Sequence, residues 1–259
     1  MTTDLLYDGS FDGFLTSVFE CYHRKLQDFS IVRRDRYQPD LTSKSLDIIT
    51  DVLKSKRVWA GLKKKLSVNK RNEFYKAFLS ELPDIERQLL AFSRYVFSST
   101  HNIEHDLGHP SVIAITRIAH QVHREKHRME AFVRFQRTKD DVYYASVSPD
   151  FNVLPLIASH FKDRYADQNW LIYDQLRKYG ISYDCTSYAL TEVLINFDQE
   201  SSRNFLPENI CHEDEVAYQK LWKDYFHSVN IGPRKNRKLH VRHVPVRYWK
   251  YLVEKKDFS

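Results

Sequence analysis

Apolar side chains recur every three or four positions through the first half of the chain and alternate in short runs through its middle, which predicts helices first and a sheet after them. Leu5, Leu6 and Tyr7 make a short strand ending in the turn-rich segment 8–13, where Ser10 can cap a helix. Phe11, Phe14, Leu15, Val18, Phe19, Tyr22 and Leu26 then fall on one helical face. Between Ser43 and Ser99 the helical spacing continues in three segments: Leu46, Ile49 and Leu53; then Phe74, Phe78 and Leu79; then Ile85, Leu89, Leu90, Phe92 and Val96. Polar breaks near Ser67 and Pro83 divide them. After Gly108 and Pro110 a further helix is expected to run to about Met129 on the stripe Val112, Ile115, Ala119 and Val122.

The pattern then changes period. Residues 132–136 (FVRFQ) alternate Phe132, Arg134 and Gln136 against Val133 and Phe135, and Lys139, Asp140 and Asp141 supply a turn into VYYASVS, so a hairpin is expected. Asn152 can cap a following helix with Pro155 in its first turn and Leu154, Ile157, Ala158, Phe161 and Tyr165 on its apolar stripe. Residues 170–174 (WLIYD) and 180–184 (GISYD) predict a second hairpin. Residues 192–197 offer one more strand, and 213–229 a helix with Val216, Tyr218, Leu221, Trp222 and Tyr225. The fold class that follows is α+β: a helical N-terminal half (1–127), a central antiparallel ββαββ unit (128–200), and a C-terminal helix with a basic, aromatic tail (201–259), read as parts of one compact domain. One helix covers one face of such a sheet, leaving the other for the N-terminal helices or for a ligand.

Composition narrows the function. With 259 residues and 42% hydrophobic content the chain can bury a real core, and 16 Tyr with 16 Phe put many rings in it. Six scattered glycines provide no phosphate-cradling loop, which excludes P-loop motors and Rossmann enzymes; GxSxG and HExxH are absent as well. Cys21, Cys185 and Cys211 lie far apart and suggest neither a zinc site nor a disulfide framework. No apolar run approaches the roughly 20 residues of a membrane span, and the polar start MTTD does not resemble a signal peptide, so a cytoplasmic protein with no membrane partner is expected.

The formal charge of +6 matters only where it clusters. It does so twice. Lys54, Lys56, Lys63, Lys64, Lys65 and Lys70, with Arg57 and Arg71, surround Trp59 in the N-terminal helices, and this is either a solvated face or a phosphate-contacting patch. From Gly232 to Lys250 the tail carries Arg234, Lys235, Arg237, Lys238, Arg242 and Arg247 without one acid, and ends in Tyr248 and Trp249. Cations interleaved with rings can neutralise phosphates and stack bases, or can dock a solvated tail to the body. The histidines His101, His105, His109, His120, His123 and His127 are read as helix-surface or hydrogen-bonded residues, and no metal or other cofactor is expected. Around the ββαββ unit, Glu125, His127 and Asp174 are candidate acids or bases, with Arg128, Arg134 and Arg164 as phosphate partners; a salt-bridge network joining helix to sheet is the competing reading.

Four strings, YDGSFDG near the start, HRMEAFVRFQ at 127–136, PDFNVLPLIASHFKDRYADQNWLIYD at 149–174 and VPVRYWKYLVE at 244–254, resemble a bacterial family of DNA-metabolism and DNA-repair proteins built on a domain of unknown function. The resemblance implies DNA as a partner, and a stand-alone protein working beside a radical S-adenosylmethionine protein assigned to DNA modification or repair. Relatives are fused to uracil-DNA-glycosylase-like domains. The family supplies no settled catalytic residues; its motif positions here include Asp8, Gly9, Ser10, Phe11, Glu125, His127, Arg128, Arg134, His160, Arg164, Trp170, Asp174, Arg247, Tyr248 and Trp249. DNA binding through a basic surface is therefore expected. The alternatives are an enzyme acting on damaged or modified nucleotides, glycosylase-like or nuclease-like, and a protein adaptor that does not touch DNA.

Overall fold

The computed structural model describes residues 3–39, 44–194, 206–207, 209–228 and 237–258. The chain forms two compact units, Met1–His123 and Arg124–Ser259, and mixes helices with sheets as an α+β protein.

The first unit opens with strand β1 (Thr3–Tyr7), and Ser10 caps helix α1 (Phe11–His23) by accepting from the Gly13 N–H at 2.9 Å. Asp8 Oδ1 in turn accepts from the Ser10 N–H and hydroxyl. A Cβ at Gly13 would lie 2.2 Å from that carboxylate oxygen, so a side chain there would have to displace the Asp8 carboxylate. The chain then adds β2 (Phe29–Arg33) and β3 (Lys44–Asp47) in parallel on either side of β1, giving the order β2-β1-β3. Leu46, expected on a helix, instead pairs opposite Leu5. Such four- and five-residue strands are too short to interrupt a helical period visibly, and parallel pairing is fixed by distant residues. Helices α2 (Val52–Lys65), α3 (Val68–Phe78) and α4 (Ile85–Ser98) follow, the first two capped by Asp51 and Ser67. Leu5, Phe14, Val18, Leu62, Phe74, Leu89, Phe92 and Ile115 are among the side chains that fill this unit's core.

Helix α5 (Pro110–Phe132) carries the chain into the second unit. There β4 (Gln136–Arg137), β5 (Tyr143–Val147), β6 (Trp170–Asp174), β7 (Tyr179–Asp184) and β8 (Ala189–Val193) form a five-stranded sheet in sequence order. The ββαββ order is present: β4–β5 and β6–β7 are antiparallel, and α6 (Leu154–Arg164) crosses between them, so that β5 and β6 meet in parallel. Helices α7 (Glu215–Ser228) and α8 (Arg237–His243) follow, then 3-10 turns at Val246–Tyr251 and Val253–Phe258.

Three local expectations change in this unit. The strand expected at 132–136 shrinks to its last residue and the next one. The helix persists through Phe132 because the Val133 N–H still donates to Met129, while Arg134 Nη1 donates to the Ala131 and Val133 carbonyls and so closes the helix end. Asn152 does not cap α6; its side chain accepts from the Tyr179 hydroxyl instead, with Pro155 in the first turn as expected. The last strand begins earlier than expected, at Ala189, and residues 195–197 lie outside the described ones. No helix of the described residues is long and apolar enough to cross a membrane.

Candidate functional site

The second unit contains an open cavity of about 940 Å³, built where the C-terminal end of α5, helix α6 and helix α7 approach one another. Helix α5 contributes His127 and Glu130, the residues just after it contribute Arg134 and Phe135, α6 contributes His160, Phe161 and Arg164, and α7 contributes Tyr218 and Trp222. Tyr143 and Tyr165 complete its aromatic wall. Phe135 packs edge-on against Phe161 and Tyr165, which ties the rings of that wall to one another.

Charge is distributed unevenly around this cavity. Glu130 accepts from Lys126 Nζ at 2.6 Å and lies 3.0 Å from His127 Nδ1, with His160 Nδ1 at 3.9 Å. Burial opposes its ionisation, yet the Lys126 hydrogen bond and the surrounding cations hold its pKa below the usual glutamate value. An ionised carboxylate can only accept, so a hydrogen bond from His127 to it places the proton on Nδ1. Arg134 is bound differently. Its Nη2 pairs with the buried Glu254 at 2.9 Å, and its guanidinium lies 5.4 Å from the Trp222 ring, whose Nε1–H donates to the same Glu254. Burial opposes ionisation of Glu254, but Arg134 and Trp222 more than offset it and its pKa falls. Arg137 pairs with Asp141. Arg164 stands apart: among the described residues it has no carboxylate partner, only the Tyr165 hydroxyl at 3.4 Å and the Tyr165 ring at 5.7 Å.

Of the residues singled out in the sequence, His127, Arg134 and Arg164 thus meet in one cavity. Glu125 and Asp174 do not join them. Glu125, with 1% of its side chain exposed, accepts from the Asp150 N–H at 3.0 Å and the Tyr248 hydroxyl, and pairs with Arg247 at 3.1 Å and Arg128 at 3.4 Å. Both oxygens are committed to holding the chain's last segment to α5 and the 149–152 loop. Asp174 is fully buried at the β6–β7 turn, where it accepts from the Leu176 and Arg177 N–H groups and pairs with Arg177 Nη1 at 2.9 Å. Burial pushes its pKa up despite Arg177. Arg128 and Arg247 are engaged in the Glu125 joint, and Arg247 also meets Asp150 at 2.7 Å.

The tail divides as well. Tyr248 and Trp249 are buried, so in this arrangement they anchor the tail and cannot stack on bases. Arg237 opens α8, Lys238 and Arg242 are exposed on it, and Arg234 and Lys235 lie outside the described residues. In the first unit Lys54 pairs with Glu20, Lys70 is buried against Glu73 and Thr116, and Lys65 caps the end of α4 through the Phe97 and Ser99 carbonyls; Lys56 and Lys64 remain exposed. Among the described residues no three His, Cys, Asp or Glu side chains are arranged to hold a metal ion.

Sequence reasoning missed Glu130 as a site residue. Its spacing from Lys126 and His127, i+4 and i+3 on one helix, was the available signal. The approach of His160 to it is tertiary and had none.

Residues 83–254 match the model of a family described as a domain of unknown function, DUF4130. No curated protein matches the chain. Among solved structures it is similar to a pGpG-specific phosphodiesterase, PggH, of Vibrio cholerae, at a TM-score of 0.37 and 10% identity over 88% of this chain and 99% of that one. A likeness this distant decides nothing about the chemistry.

Proposed function

Because the chain belongs to the DUF4130 family and the matched residues include the whole cavity, we propose that this cavity receives a nucleotide of DNA and that the protein acts in DNA metabolism or repair. The observation that carries the reading is Arg164: a guanidinium with no carboxylate partner among the described residues, at the edge of a cavity walled by rings. A phosphate satisfies the first and a base fits the second. Arg134 has a supporting role, because its charge is spent on Glu254 and its plane lies against Trp222. Lys238 and Arg242 on α8, with Arg234, Lys235 and Arg237, supply backbone contacts in this reading. The radical S-adenosylmethionine partner implied by the resemblance belongs to the same proposal, and co-purification of the two proteins from cells tests it.

Titrating purified protein with fluorescent oligodeoxynucleotides at several salt concentrations tests the binding itself. Affinity should fall with salt, and replacing Lys238 and Arg242 by Gln should reduce the log–log slope by about one per lost phosphate contact. Unchanged affinity in that variant, or none in the wild type at low salt, would defeat the reading.

His127 and Glu130 favour a second reading, acid–base catalysis on the bound nucleotide. A carboxylate that accepts from an imidazole orients that ring for proton transfer in a cavity, and His160 stands on the same carboxylate. In this reading His127 and Glu130, rather than Glu125 or Asp174, carry the chemistry. Incubation with uracil-containing, alkylated, abasic and undamaged DNA tests it, Glu130→Gln serving as the control; absence of product on every substrate leaves binding alone.

A further inference from the structure

The turn that leads from α6 into β6, residues 165–169, contributes Tyr165 and Gln168 to the cavity. Its backbone is tied to its neighbours. The Gln168 N–H donates to the Tyr165 carbonyl at 3.4 Å, the Asn169 carbonyl accepts from the Tyr143 N–H at 2.9 Å, and the Asn169 side chain accepts from the Cys185 N–H at 2.9 Å. The Tyr165 ring is held as well, edge-on to Phe135 and near-parallel to Phe161. The Gln168 side chain is different: it lines the cavity, is half-buried, and makes no hydrogen bond among the described residues. An amide that served the fold would be bonded within it, because a part-buried polar group left idle costs stability. Here the backbone is fixed and the amide is unused, so its donor and acceptor are available to whatever the cavity holds.

We propose that Gln168 is the residue that recognises the base of the nucleotide in this cavity, its amide pairing edge to edge with an adjacent donor and acceptor of that base. The inference rests on the cavity reading and adds to it the residue that reads the ligand. A primary amide presents a carbonyl acceptor and an N–H donor side by side in one plane. A nucleobase presents the complementary pair along its Watson–Crick edge, which is open to a protein once the base is unpaired. Other ligands match the amide less well. Phosphate oxygens only accept and leave the amide carbonyl idle, and a trans peptide unit points its N–H and C=O to opposite sides, so neither meets both atoms at once. Arg164, which lines the same cavity and has no carboxylate partner among the described residues, serves the phosphate. The two residues thus divide the nucleotide between them, one for its charge and one for its base.

Calorimetric titration with the four 2′-deoxynucleoside 5′-monophosphates and with deoxyribose 5-phosphate, which lacks the base, tests the division. Gln168→Met keeps the length of the side chain and removes both hydrogen-bonding atoms. It should weaken the tightest of the four nucleotides about tenfold and leave deoxyribose 5-phosphate unchanged, which also shows that the cavity is intact in the variant. Arg164→Ala should weaken both ligands by a common factor. If nucleotides bind but Gln168→Met leaves their affinity unaltered, or weakens deoxyribose 5-phosphate as much as the nucleotide, Gln168 does not read the base and the cavity reading stands without it. If none of the four nucleotides binds the wild-type protein, the cavity reading falls and this inference falls with it.

Discussion

Glu125 and Glu130 lie five residues apart on α5, about 140° apart around the helix, and end in opposite environments. Glu125 faces a closed joint in which Arg247, Arg128, the Tyr248 hydroxyl and a backbone N–H occupy both of its oxygens. Glu130, 12% exposed, faces an open cavity with Lys126 and two histidines around it. Both are ion-paired glutamates, and neither the residue type nor the pairing separates them. What does is the space beside them: one has room for another molecule and the other has none. A charged cluster becomes a site where its groups retain unused hydrogen-bonding capacity facing solvent, and a structural joint where they do not.

Stability measurements should break the pair apart most clearly. Replacing Glu125 by Ala leaves the buried Tyr248 hydroxyl and the Asp150 N–H without their acceptor and removes the Arg128 and Arg247 ion pairs, although Arg247 keeps Asp150, and is expected to cost about 3 kcal/mol. The same change at Glu130 removes pairs with partly exposed partners and should cost about 1 kcal/mol or less. Urea unfolding of the two variants checks this. Similar losses would show that Glu130 is as structural as Glu125.

Arg134 sits between the two extremes and should show it. It borders the cavity, yet its guanidinium closes the end of α5 and neutralises Glu254. Arg134→Ala should therefore destabilise by about 3 kcal/mol, whereas Arg164→Ala, which removes no described ion pair, should leave unfolding within about 0.5 kcal/mol of wild type. In nucleotide affinity Arg164→Ala should lose about tenfold, the value of one charge-assisted contact. Calorimetric titration of the mononucleotide measures that loss, and an unaltered affinity would remove Arg164 from the site.

These contrasts explain what the sequence could disclose. The period of the apolar residues marked α1, α4, α5, α6 and both hairpins of the second unit, because amphipathic faces are local. It did not disclose the parallel pairs of β1 with β2 and β3, whose partners lie more than twenty positions away. For the site, Arg164 and His127 were visible as residues of the right type beside the ββαββ unit. So were Glu125 and Asp174, and composition cannot distinguish a carboxylate in a joint from one in a cavity. Tyr248 and Trp249 illustrate the same limit: rings within a basic run read as a stacking surface, but burial against the body made them an anchor.

Titration provides the finest test of the comparison. Glu254 has a lowered pKa, held down by Arg134 and Trp222 against burial. A carboxylate whose folded pKa lies below its unfolded value of about 4.3 adds stability that is complete above that value and is lost as pH falls through the folded pKa. Asp174 has the opposite sign. Burial raises its pKa, so its charged form costs stability above the folded pKa and protonation relieves that cost as pH falls. Glu254→Gln should therefore flatten the acid limb of the stability profile below about pH 4, while Asp174→Asn, whose side-chain oxygen can still accept from the Leu176 and Arg177 N–H groups, should steepen it slightly. Emission from Trp222, compared with a Trp222→Phe control, reports the Glu254 event directly, because the indole N–H donates to that carboxylate. If acid leaves this emission unchanged down to global unfolding, the Arg134–Glu254–Trp222 clasp does not depend on the carboxylate's charge, and the orientation of the Trp222 ring must come from packing alone.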